Sequence, residues 1–304
     1  MNVKEKRLHY SKPPEEAEMT TMRKETLSGF EDRAACEASA DAGAFHFQEE
    51  APQASDTHDK DADAMPADAL RLAAVTPFTT IDFPGKLSAV AFVQGCPWRC
   101  LYCHNAWMQP RAFDSSLEHE SWASLEALLL RRKGLLDGVV FSGGEPCCDP
   151  ALPAAVRAVK SMGFLAALHT GGAYPARLRA LLPHLDWIGL DVKAPPTDAA
   201  LYDRVVGKPR AASLFLESFA LIQASGVPFE CRTTAHPEYL PEEKLLELAD
   251  WLKANRVETF ALQIYRKPPG AFLAILPAVL ESYPSEKARE ALRGAVKHYI
   301  ERRE

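Results

Sequence analysis

The chain has 304 residues, 47% of them hydrophobic, enough for one large core or two ordinary domains. Its formal net charge of -6 argues against a general nucleic-acid binder, which needs a basic face, and gives it no attraction to anionic membranes. No run approaches the about eighteen apolar residues of a membrane span. Residues 1–30 are charged and lack the apolar stretch of a secretory leader, so a reducing cytoplasm is the expected setting.

Residues 1–68 are rich in Glu, Asp, Lys, Ala and Ser and show no clear apolar period. They are expected to be a disordered or loosely structured extension, with Cys36 an incidental thiol within it. From about residue 70, short β-branched runs alternate with helix-length amphipathic ones. Strands are predicted at 87–95, 137–144, 164–170, 186–195, 227–235 and 257–265. Helices are predicted at 121–133, 149–163, 174–185, 211–226 and 241–255. Ser121 and Asp149 are the expected N-caps of the first two helices, Pro150 suits the first turn of the second, and Gly163 and Gly226 are expected stops. Residues 269–304 read as a further helical pair, apolar then charged, packed outside the barrel. Six strand–helix units in series imply parallel strands with right-handed crossovers, in a doubly wound sheet or a partial barrel. In both, ligands gather at the C-terminal ends of the strands.

Those ends carry the polar groups. Cys96 follows the first predicted strand, SGGEP (142–146) the second and HTGG (169–172) the third. Asp191 and Lys193 end the fourth, Arg232, Thr233 and Thr234 the fifth, and Gln263, Tyr265 and Arg266 the sixth. Within GCPWRCLYCHN (95–105), Cys96, Cys100 and Cys103 are spaced C-x3-C-x2-C. Thiolates select zinc, copper(I) or iron–sulfur clusters. Structural zinc takes four closed ligands, usually two separated pairs, and the second pair is missing here. Cys147 and Cys148 are adjacent in sequence and ill placed to share an ion. Three thiolates on one short loop suit a [4Fe–4S] cluster whose fourth iron has no protein thiolate and is open to a small molecule.

This spacing, with Tyr102 before the last Cys, resembles the radical S-adenosylmethionine (SAM) superfamily. TTIDFPGK (79–86), CHN (103–105), SGGEP, LDVKAP (190–195), CRTT (231–234) and ALQIYR (261–266) together resemble one branch of it, the anaerobic ribonucleoside-triphosphate reductase activating proteins, over about residues 72–268. HTGG is a departure, because related activases often carry Asp-Thr-Asn-Gly there. His169 also reads simply as a locally satisfied strand-end histidine. Cys231 is expected to pack inside the barrel.

The resemblance implies an α/β fold, a partial (β/α)6 TIM-like barrel over 69–268. It implies a cluster held by Cys96, Cys100 and Cys103. SAM would be bound around Tyr102, His104, Gly143, Gly144, Glu145, Thr170, Asp191, Val192, Lys193 and Arg266. It implies an oxidoreductase that reductively cleaves SAM to a 5′-deoxyadenosyl radical and installs a glycyl radical on an anaerobic ribonucleotide reductase, with no side-chain acid or base required. A flavodoxin-type or other low-potential reductant would supply the electron. The alternatives are an activase of another glycyl-radical enzyme, of the formate-lyase type, and a non-catalytic iron–sulfur or zinc-binding module.

Overall fold

The structure is a computed structural model that describes residues 65–100, 102–266 and 279–302. The expected disorder of residues 1–64, with Cys36, and residues 269–278 of the expected C-terminal helical pair lie outside the described residues. The described residues form a single eight-stranded sheet whose strands follow chain order. Strand β1 (Leu72–Thr79) runs antiparallel to β2 (Ser88–Val93). Parallel to β2 follow β3 (Gly138–Gly143), β4 (Leu165–Thr170), β5 (Trp187–Asp191), β6 (Phe229–Ala235), β7 (Thr259–Ile264) and β8 (His298–Arg302). Among the described residues β1 and β8 do not pair, so the sheet is not closed.

The crossovers carry α1 (Trp122–Arg131), α2 (Leu152–Ser161), α3 (Pro175–Leu181), α4 (Ala199–Val206), α5 (Ala211–Ser225), α6 (Glu242–Ala254) and α7 (Glu286–Ala295). Strands β2–β7 are the six predicted ones. Ser121 caps α1, accepting the Ser124 N–H in a reciprocal capping box, and Gly226 ends α5 in the left-handed conformation.

The structure corrects several expectations. The antiparallel lead strand β1 was not predicted, and neither was α4. Residues 298–302 are a strand and not the end of a helix: they pair in parallel with β7, from Thr259↔His298 to Gln263↔Arg302. Asp149 is not the cap of α2, which begins at Leu152. Its carboxylate instead accepts the Ala151 and Arg71 N–H groups and pairs with Arg111 at 2.7 Å.

Side chains alternate across a strand, so register assigns the two faces. On one face, Val139, Phe141, Ala166, Leu168, Ile188, Leu190, Phe260 and Leu262 are buried in the main core with the helices. Cys231 lies on this helix-covered side, in register between Leu190 and Phe260, and not inside the barrel as expected. On the other face a row formed by Val90, Val140, Ala167 and Trp187 packs with Phe83 into a small apolar floor. Further along the same face the side chains become polar: Ser142 and His169 two residues on from Val140 and Ala167, then Asp191, four on from Trp187, and its register partner Arg232. The polar residues lie at the strands' C-terminal ends, so the face that bears the floor also bears the site.

Candidate active site

Beyond Val93 the chain enters the cysteine loop through buried Gln94 and Gly95. The loop is tied to its own return. The Gly95 N–H donates to the Met108 carbonyl (2.7 Å) and the Cys96 N–H to that of Gln109 (2.9 Å). Gln94 Nε2 donates to the Pro110 carbonyl at 2.6 Å, and Arg111 donates to the Gln94 carbonyl at 2.7 Å. The Cys103 N–H donates to the Cys100 carbonyl (3.1 Å), so the last two thiols leave one tight turn. All three are free and half-buried.

The next two strand ends are built around this loop. A β-carbon on Gly144 would fall 2.2 Å from the Gly95 carbonyl oxygen, a separation open only to glycine, and one on Gly171 would fall 2.3 Å from the Trp98 ring. The Glu145 N–H donates to the same Gly95 carbonyl at 2.8 Å. Glu145 is itself buried. Its carboxylate accepts the Thr170 hydroxyl (2.8 Å), the Gly171 N–H (2.9 Å) and the Cys147 N–H (3.1 Å). Burial pushes its carboxyl up, and these hydrogen bonds oppose that. Its oxygens are thus engaged within the protein, and Glu145 braces β3 to β4.

At the ends of β5 and β6, Asp191 accepts Arg232 at 2.8 Å and Lys193 Nζ at 3.0 Å. Burial alone would raise the Asp191 carboxyl, but the two cations hold it well below the usual carboxylate range. Burial alone would lower Lys193, and Asp191 lifts it above its ordinary value. The Lys193 ammonium also lies 5.7 Å from the centre of the Tyr102 ring. Tyr102 is buried and stacks on Tyr239 with ring centres 4.9 Å apart, and among the described residues its hydroxyl has no hydrogen-bond partner. His169 Nε2 lies 2.9 Å from the Asp82 carbonyl, an acceptor, so this nitrogen carries the proton. Burial, helped by the Arg232 charge, pushes His169 down to about 3, so the ring is neutral. It is thus a locally satisfied histidine.

These groups enclose a cleft of about 240 Å³. It brings together Cys96, Cys100, Cys103, Tyr102, His104, Gly143, Gly144, Glu145, Thr170, Asp191 and Lys193. It does not include Val192 or Arg266. The Val192 side chain is buried in the main core, its N–H donates to the Arg232 carbonyl and its carbonyl accepts the Thr233 hydroxyl. Arg266 is exposed just past β7, and its backbone meets the His104 ring. The cleft also takes in Trp98, Asn105, Gln109, Ser142, His169, Gly171, Arg232 and Thr234, which were not among the expected site residues. For Arg232 a signal existed, because period-two alternation puts it on the Asp191 face at the next strand end.

The donor set fits a cluster with three protein ligands. Three thiols border one cleft, and among the described residues no fourth cysteine does: Cys147 is buried beneath the turn that follows β3, Cys148 Sγ lies 3.3 Å from the Gly95 carbonyl outside the cleft, and Cys231 is on the opposite face. Among the described residues no three His, Cys, Asp or Glu side chains converge on a point the size of one ion, and ligands to separate irons need not. Burial pushes the Cys96 thiol up to about 12 and the Cys100 thiol up to about 11, so in the free protein both are protonated and binding must release those protons.

The family model described as the Radical SAM superfamily matches residues 90–252. A Methanocaldococcus jannaschii protein, provisionally named a glycyl-radical enzyme activating enzyme, is 30% identical over 185 residues, 59% of this chain and 74% of its own. The pyruvate formate-lyase-activating enzyme of Clostridium pasteurianum is 30% identical over 192 residues, 61% of this chain and 77% of its own. Among solved structures, that of Streptococcus suis SuiB bound to S-adenosylmethionine superposes with a TM-score of 0.53 at 14% identity. It covers 69% of this chain and 48% of SuiB, a likeness of fold.

Proposed function

The chain belongs to the radical SAM superfamily and is homologous to glycyl-radical enzyme activating enzymes, and from this we propose that it installs a glycyl radical on a partner enzyme. The family's cofactors are a [4Fe–4S] cluster and S-adenosylmethionine. When bound, they supply one electron and a 5′-deoxyadenosyl radical that removes hydrogen from substrate. In this reading Cys96, Cys100 and Cys103 hold the cluster. The Gly143–Gly144 backbone, Lys193 and the ends of β4 and β5 hold SAM, while Glu145 fixes β3 and β4 against the cysteine loop. Buried Trp98 and Tyr102 keep water from the cleft wall. The sheet left open between β1 and β8 supports access by a segment of another protein.

The observation that carries the reading is three thiols, without a fourth among the described residues, on a cleft walled by the glycine turn and the Asp191–Lys193 pair. The substrate protein we propose is an anaerobic ribonucleotide reductase, on the resemblance of the strand-end motifs. The pyruvate formate-lyase-activating relatives favour a second reading, a formate-lyase-type substrate. The chain would act as an oxidoreductase in the cytoplasm in either case. No helix among the described residues is long and apolar enough to cross a membrane. The test is anaerobic: 5′-deoxyadenosine is quantified with dithionite and SAM. Each candidate partner is then added and the glycyl radical sought by electron paramagnetic resonance. Radical on the formate-lyase partner alone would replace the first reading by the second.

A further inference from the structure

We propose that the basic surface made by Arg99, Arg204, Lys208 and Arg210 is the docking site of an acidic one-electron carrier protein of the flavodoxin type. The inference rests on the function proposed above, since it names the source of the electron that function consumes.

The patch is built onto the cysteine loop. Arg99 lies between Cys96 and Cys100 and is exposed, and its guanidinium donates to the Cys96 carbonyl at 2.7 Å and the Trp98 carbonyl at 2.8 Å. Its N–H donates to the Val206 carbonyl at 2.8 Å, so the end of α4 lies directly against the loop. Gly207 has φ 66°, and a β-carbon there would fall 3.0 Å from the Arg99 carbonyl oxygen. The turn that follows is held compact: the Lys208 N–H donates to the Asp203 carbonyl (3.1 Å) and the Arg210 N–H to its carboxylate (2.7 Å). Arg204, Lys208 and Arg210 are exposed.

Two acids lie nearby. Asp203 is committed to the N–H groups of Arg210, Ala211 and Ala212, and Asp198, which senses Arg204, is paired with Lys244 at 3.0 Å. Among the described residues none of the four basic side chains is in an ion pair. In a chain of net charge -6 this excess of positive charge is local and not compositional.

Position decides the occupant. Trp98 and Cys100 border the cleft and Arg99 does not, so the patch lies outside the space that SAM and substrate need. An electron donor must come within reach of the cysteine loop without entering that space, and this surface meets both conditions. Opposite charge across such a contact raises the encounter rate. The step balances: the carrier loses one electron, the cluster gains it, and no proton moves.

The probe is a purified flavodoxin with its flavin bound. Its fluorescence is titrated with the reconstituted protein, and flavin oxidation is followed by stopped flow. The comparison is wild type against Lys208→Glu/Arg210→Glu, with Lys208→Gln/Arg210→Gln guarding against misfolding. At low salt, affinity and electron-transfer rate should fall about tenfold for the reversed pair and less for the neutral pair, and the difference should vanish near about 0.5 M salt. Dithionite-driven SAM cleavage, which needs no docking, should be unchanged. Wild-type binding and reduction by the reversed pair would overturn the proposal. So would weakened binding of the glycyl-radical substrate instead, which would make this the substrate's surface. Absence of dithionite-driven cleavage in the wild type is a different result, and it overturns the function proposed above.

Discussion

Gly144 lies so near Gly95 that a β-carbon on the first would stand 2.2 Å from the carbonyl oxygen of the second. The glycine turn after β3 and the cysteine loop after β2 are therefore one assembly. The expected ligand contact at this turn and the packing of the loop make the same demand for a bare backbone.

Gly144→Ala must push the two loops apart, which costs about 1–3 kcal/mol and displaces Cys96. The expected outcome is a lower thermal midpoint together with reduced iron content after anaerobic reconstitution. Gly163→Ala is the control. Gly163 has φ 90° and open space around it, so alanine there costs about 1–2 kcal/mol of backbone strain and leaves iron content unchanged.

Glu145→Gln replaces an acceptor-only group by one that turns an amide N–H toward the Thr170, Gly171 or Cys147 donors. A loss of about 1–3 kcal/mol in urea unfolding is expected. Local loosening of the 169–172 turn should show in hydrogen exchange at Gly171.

Asp191→Asn leaves Arg232 and Lys193 facing each other without the charge between them. The expected destabilisation is about 2 kcal/mol, below that of a fully enclosed pair because Asp191 keeps some solvent contact. Affinity for SAM, measured by calorimetry, should fall with it.

His169 sets a pH dependence. Its ordinary value is 6.5 and the folded value about 3, so between these the unfolded chain binds a proton that the folded chain does not. Its contribution to stability is complete above 6.5 and is lost as the pH falls toward about 3. Urea midpoints of the wild type should drop across that range, with a slope up to about 1.4 kcal/mol per pH unit steeper than that of His169→Gln.

Much of this site was legible before the fold was. The strand–helix alternation placed β2–β7, and the strand ends then gathered the cysteines, the glycine turn and the Asp191–Lys193 pair. The misses have physical causes. β1 reads LAAVTPFT, with a proline tolerated because the strand is at the sheet edge. β8 reads HYIER and has no period-two pattern of its own, and its pairing with β7 supplies what local sequence does not. The stack of Tyr102 on Tyr239 and the tie from His169 to Asp82 join residues 137 and 87 positions apart, and no local spacing encodes such contacts.

The most direct measurement is iron, sulfide and zinc content on protein purified and reconstituted without oxygen, with Mössbauer spectra recorded before and after SAM is added. The account predicts a four-iron cluster in which SAM alters the signal of one iron site, and loss of that cluster in Cys100→Ala. Tetrahedral zinc closed by a fourth side chain, or a cluster spectrum indifferent to SAM, would contradict it.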